Sequence, residues 1–143
     1  SMIQHTHVDG AIIISTPQDV ALLDAKKGLE MFKKLNLPII GMVENMSSFI
    51  CTNCGTEHHI FGHGGVTQAV KDLDTQLLGQ IPLEIELRTG SDQGKPYMAT
   101  QGFEGRPVWK GFQEVGEKVV SFFQSQDAPA KTGFISKILG LKK

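Results

Sequence analysis

The sequence predicts an α/β fold, a parallel sheet with flanking helices, and three observations lead to it. Gly10–Ser15 and Leu37–Val43 are short, continuous apolar runs, the pattern of strands covered on both faces. Between them Leu22, Ala25, Leu29 and Phe32 recur at spacings of three and four, the period of an amphipathic helix. Two buried strands joined by a helix make a βαβ unit, whose strands must run parallel. Composition agrees: 143 residues, 40% apolar and 20% charged, suffice for one domain with a real core.

Taken in order, Ser1-Met2 reads as an expression remnant and residues 1–7 as that remnant plus the end of a truncated helix. Thr16-Pro17 stops the first strand, because proline lacks an amide proton and fixes φ. The helix then runs from about Gln18 to Leu35, with Asp19 in its first turn and Lys33 and Lys34 in its last, each suited to the helix dipole. Gly28 inside it signals either close packing or simple tolerance. After the second strand, a loop is expected from Asn45 to about Gly65. Val66, Ala69, Val70 and Leu73 mark a short helix, and Gln76–Ile81 a third strand ended by Pro82. Leu83–Arg88 alternates and suits a strand or a helical turn equally. Gly90, Gly94 and Pro96 predict a loop. A last helix is expected from about Arg106 to Gln124, with Val108, Phe112, Val115, Val119 and Phe122 on one stripe and Trp109 in the core. Residues 8–125 thus form the domain. Residues 126–143 read as a flexible basic tail, faintly amphipathic but broken by glycine.

Composition also excludes. A net charge of −1 gives no basic field to attract nucleic acid. No apolar run approaches the roughly 20 residues that span a bilayer, and no membrane contact is expected. No Gly-x-x-x-x-Gly-Lys-Ser/Thr and no Gly-x-Gly-x-x-Gly occurs; Gly62-His-Gly-Gly65 lacks a phosphate-pairing lysine and reads as a turn. No catalytic residue is assigned.

The chemistry rests on the two cysteines, Cys51 and Cys54, in a single Cys-x-x-Cys beyond the second strand. Loops at the carboxyl ends of parallel strands are where α/β folds bind ligands. A tetrahedral sulfur site around zinc or iron needs four ligands, and one chain supplies two thiols. Other ligands or a second chain must complete it, and a twofold contact would do so with one self-complementary patch. An iron–sulfur cluster, a structural zinc and a redox dithiol all fit the spacing. His58 or His59 could add a ligand, although adjacent side chains in extended backbone point to opposite sides. A lone cysteine pair with metal-ligand spacing suits a reducing compartment.

Five further stretches accompany that pair. They are VDGAIIISTPQDVALLD at residues 8–24, GMVENMS at 41–47, Ile60-Phe-Gly62, LGQIPL at 78–83 and Arg88-x-x-x-Asp92-x-Gly94-x-Pro96. In this order and spacing the sequence resembles the Mrp/ApbC-type P-loop ATPases that carry and assemble iron–sulfur clusters. The resemblance implies a partial P-loop NTPase domain lacking its amino-terminal half, where that family holds its deviant phosphate loop and switch segments. It implies that Cys51 and Cys54 bind a [4Fe–4S] cluster bridged between two protomers of a homodimer, for transfer to apo iron–sulfur proteins. It implies ATP and Mg in the intact protein, with Asn45 and Pro82 near the adenine, and no hydrolysis by this stretch alone. The mitochondrial matrix or the cytoplasm is the implied setting. A zinc-stabilised structural or dimerisation module is the alternative. Asn45 as a turn or cap, and Arg88 with Asp92 as a pair pinning the following loop, are readings that need no ligand.

Overall fold

The computed structural model describes residues 6–125. In chain order these form β1 (Ala11–Ser15), α1 (Asp19–Lys34), β2 (Ile39–Ile50), β3 (Glu57–His58), α2 (Gly65–Asp72), β4 (Leu77–Leu83), α3 (Ile85–Asp92), a single 3-10 turn at Tyr97–Ala99, and α4 (Pro107–Ser125). β2 is the spine of the sheet. β1 and β4 flank it on opposite sides, both parallel to it, as the βαβ reading requires.

Helices cover both faces of β2 and β4, but β1 is not covered on both faces as its apolar run predicts: Ile13 and Ser15 are buried while Ile12 and Ile14 are exposed. On one face, Leu22 and Leu29 of α1 and Val66, Ala69 and Val70 of α2 close over Ile13 and Met42. On the other, Val108, Trp109 and Val115 of α4 pack with Val43, Leu78 and Ile81. α4 lies close because the contact is made by glycines. A side chain at Gly111 would run into the Gln80 carbonyl, and a Cβ at Gly79 would sit 2.8 Å from Val115. At Gly28 a Cβ would meet nothing within 4 Å, so that glycine is tolerance rather than packing.

Four further expectations need correction. The stretch after Val43 is not a loop: β2 continues to Ile50 and folds back on β3 as a hairpin. A backbone kink makes this possible. Met46 takes φ 55°, and the β4 ladder slips between Asn45 and Phe49, as at a β-bulge. Pro82 does not end the third strand; β4 runs through it to Leu83. Proline is accepted there because it lies between Ile81 and Leu83, where the ladder to β2 is already interrupted. Leu83–Arg88 resolves as the end of β4 at Leu83, the extended cap residue Glu84 and the first turn of α3 from Ile85; α3 takes in Gly90, so the following loop begins only at Gln93. Arg88 and Asp92 do pair, at 2.8 Å, but along α3 at i, i+4 rather than across a loop. The tail from residue 126 lies outside the described residues.

One buried carboxyl group belongs to the framework. Glu44 is fully buried at the centre of β2. Its Oε2 accepts the Val66 amide proton at 3.1 Å, and its Oε1 accepts from Gln80 Nε2 at 2.6 Å. α2 begins after Gly64 (φ 73°) with no capping side chain of its own. Glu44 supplies that acceptor from across the sheet, tying β2, β4 and α2 together.

Candidate metal centre

The cysteines sit at the tip of the hairpin that prolongs β2. Asn45, half-buried, turns its side chain back so that Oδ1 accepts the Met46 amide proton at 3.0 Å, which holds the bulge. Beyond it the strand re-forms: Phe49 pairs with His58 and Ile50 with Glu57. The tip is closed by two main-chain bonds, Cys51 N–H to Thr56 O at 2.9 Å and Gly55 N–H to Cys51 O at 2.8 Å. Gly55 has φ 73°, a conformation other residues rarely adopt, and it lets the chain turn between the two thiols and β3.

Both thiols are free. Cys51 is half-buried and Cys54 is exposed. Cys54 Sγ lies 3.3 Å from Thr56 Oγ1. The Thr56 hydroxyl, and after it the Thr56 backbone amide and the Cys51 side chain, hold the Cys54 thiol below its ordinary pKa. A thiol poised toward thiolate is the form that binds metal. The donor chemistry therefore fits a soft metal, but the donor number does not complete one. Among the described residues no group of three or more His, Cys, Asp or Glu is arranged to hold a metal ion.

The histidines do not make up the difference. His58 is exposed on β3. His59 Nδ1 bonds the Ser47 carbonyl at 3.1 Å, and its ring lies 4.3 Å from that of His63. These two rings line a separate cavity of about 440 Å³ with Ser47, Ser48, Gln80 and Lys110. A completed Cys2His2 site within one chain is thus not what the fold builds.

Asn45 and Pro82 are brought together. Asn45 stands in register with Ile81, one residue before Pro82, midway along β2 and near the carboxyl end of β4. Pro82 also lines a cavity of about 290 Å³ beside the hairpin, with Phe49, Ile50, Thr52, Ile85 and Arg106. A polar network braces its wall. Glu84 Oε1 accepts from the Tyr97 hydroxyl at 2.7 Å and from Arg106 Nη1 at 2.6 Å. Arg106 also reaches Glu86 at 3.5 Å and lies over the Phe103 ring, 4.6 Å from its centre. Burial, then the bond to Glu84, pushes the Tyr97 hydroxyl up to about 12. Glu84, Tyr97, Arg106 and the buried Glu44 carried no mark in the sequence, because their partners lie 13 to 36 residues away.

Comparison with known proteins places the chain. The chain is 48% identical over 139 residues to the iron-sulfur cluster carrier protein of Salmonella typhimurium, matching 94% of the chain and 36% of that protein. It is 42% identical over 125 residues to the iron-sulfur cluster transfer protein NUBPL of Mus musculus, matching 87% of the chain and 39% of that protein. The chain therefore spans well under half the length of these relatives. Among solved structures, a nucleotide-binding protein from Archaeoglobus fulgidus in complex with ADP superposes with TM-score 0.55 at 31% identity. That match covers 73% of this chain and 40% of that one. The septum site-determining protein MinD of Pyrococcus horikoshii, at 21% identity and TM-score 0.62 over 85% of this chain and 45% of its own, shares the fold. The α/β sheet is thus a portion of a P-loop NTPase domain. The model of the NUBPL iron-transfer P-loop NTPases, of the ParA group, matches residues 1–120, and the chain belongs to that family.

Proposed function

We propose that the chain is the cluster-holding portion of an iron–sulfur carrier. One [4Fe–4S] cluster sits between two copies, held by Cys51 and Cys54 of each, and is passed to apo-proteins. The observation that carries this reading is the incomplete thiol pair: two free, closely placed thiols at a hairpin tip, with no third ligand among the described residues. The family and the names of the relatives favour iron as the cargo. A cluster held this way is labile for a physical reason, since separating the copies leaves each with half the ligands. Delivery is then ligand exchange. A recipient thiolate replaces a carrier thiolate at iron, the recipient thiol gives up its proton, the carrier thiol takes one, and no electron moves. Thr56 lowers the proton affinity of Cys54, which favours the thiolate that captures iron.

Asn45 and Pro82 are proposed to receive the adenine of ATP in the longer protein, with Mg beside its phosphates. An amide offers a donor and an acceptor, as an adenine edge requires, and the Asn45 amide nitrogen remains available while Oδ1 holds Met46. ATP would then favour one arrangement of the two copies over the other. Mitochondrial matrix and cytoplasm are both reducing settings that suit the free thiols.

The test is transfer. Chain loaded anaerobically with iron and sulfide is mixed with an apo [4Fe–4S] enzyme in the presence of an iron chelator. Recovery of recipient activity, faster than with iron and sulfide alone, is the expected result. A chain that takes up zinc tightly and neither holds nor delivers iron is a structural clip, and the carrier reading fails.

A further inference from the structure

The same two thiols have a second chemistry when no metal holds them. Cys51 and Cys54 are the first and fourth residues of a turn closed by the Gly55 N–H to Cys51 O bond at 2.8 Å. Residues so placed lie less than about 7 Å apart at Cα, within the reach of a disulfide. The Cys51 side chain is itself a hydrogen-bond partner of the Cys54 thiol. The tip is also held from outside the turn, by the Cys51 N–H to Thr56 O bond and the pairing of Ile50 with Glu57. The sulfurs can therefore join without unfolding the hairpin. The two thiols differ in access, since Cys54 is exposed and Cys51 is half-buried. An exposed thiol meets a solute first, and a neighbour within reach resolves the product, as in redox-sensitive pairs.

We propose that the metal-free pair is a reversible modification site for low-molecular-weight disulfides, with Cys54 as the entering thiol and Cys51 as the resolving one. Cys54 Sγ, its proton lost to water, attacks one sulfur of the incoming disulfide. That S–S bond breaks, and the other half leaves as a thiolate and takes up a proton. Cys51 Sγ, its proton likewise lost, then attacks Cys54 Sγ in the mixed disulfide and expels the second half as a thiol. Cys51 and Cys54 together lose two electrons, the incoming disulfide gains them, and protons balance overall. The consequence is a lock on loading, because both metal ligands are tied up in one bond until a thiol reduces it. That lock rests on the reading of the pair as metal ligands; the disulfide chemistry does not. The bond closes only the short Cys51–Cys54 turn and stands at an exposed tip. Both features make it a reducible bond rather than a structural staple.

The test adds oxidised glutathione to the reduced, metal-free chain and follows free thiols and intact mass. Wild type is expected to lose both thiols and to end lighter by two hydrogen atoms, with no adduct and no linkage between chains. Cys51→Ser is expected to accumulate one glutathione on Cys54. Cys54→Ser should be modified at Cys51 several-fold more slowly, because that thiol is less accessible. The oxidised wild type is then offered iron and sulfide anaerobically, before and after dithiothreitol. No uptake before reduction and full uptake after it is the expected result. Wild type that keeps its thiols where the denatured chain loses them would overturn the proposal. So would a stable glutathione adduct on wild type, or disulfide-linked dimers, because Cys51 would then not be resolving. A chain that forms the internal disulfide but takes up no iron even when reduced would remove the carrier reading and the lock with it, and leave the modification site standing.

Discussion

The two halves of β2 do opposite work. From Ile39 to Glu44 the strand is flanked by β1 and β4 and roofed by helices on both faces, and it is almost wholly buried. From Met46 to Ile50 it leaves β1 behind, pairs with the two residues of β3, and carries the thiols into solvent. The division falls at Asn45–Met46, where a positive φ and a side-chain bond to the backbone reset the strand. A hairpin built this way borrows position from the core while contributing little to its stability. Binding and folding should therefore be separable by mutation, and four variants test how cleanly.

The largest effect is expected at the tip. Cys51→Ser with Cys54→Ser removes all iron binding, read as metal per chain, while the melting temperature of the metal-free protein stays within a few degrees, since exposed substitutions cost little. A collapse of the fold would break the comparison and make the hairpin structural. In the other half, Leu29→Ala empties a fully buried position under β2 and should cost about 2–5 kcal/mol in urea unfolding. Wherever that variant is still folded, its iron stoichiometry should match wild type. Glu44→Ala lies between the halves. It strands the Val66 amide and the Gln80 side chain and should cost about 1–3 kcal/mol. Because Glu44 caps α2 through the Val66 amide, faster amide exchange should concentrate in the first turn of α2.

The smallest effect is a shift in reactivity. Thr56 holds the Cys54 pKa down, so Thr56→Val should move the midpoint of the alkylation rate against pH upward. Cys54 should then alkylate more slowly near neutrality, with unfolding unchanged. A downward shift would mean that another group governs the thiol.

The same division explains what could be read from the sequence. α1 and the first half of β2 were legible, because burial on both faces leaves a continuous apolar run and burial on one leaves a helical stripe; β1 was legible as a strand, but its equally apolar run hid that Ile12 and Ile14 face outward. The second half of β2 was not. Glu44 is charged yet fully buried, and Met46 changes the pleat, so the strand signal stops while the strand continues. Pro82 misled for a related reason, since its missing amide matters only where a ladder bond is due. At the candidate site, the closeness of Cys51 and Cys54 was legible because two residues on one turn are local. The direction of His59 was not, being set by a carbonyl 12 residues earlier. The Glu84–Tyr97–Arg106 brace was invisible for the same reason, as three separate segments meet only in the fold.

The most direct measurement is the native mass of the anaerobically reconstituted chain. A particle of two chains with about four irons and four sulfides, reverting to single chains when the metal is chelated, is what a cluster shared between hairpin tips requires. A single chain carrying one zinc or one whole cluster would contradict it, because the site would then be complete without a second copy.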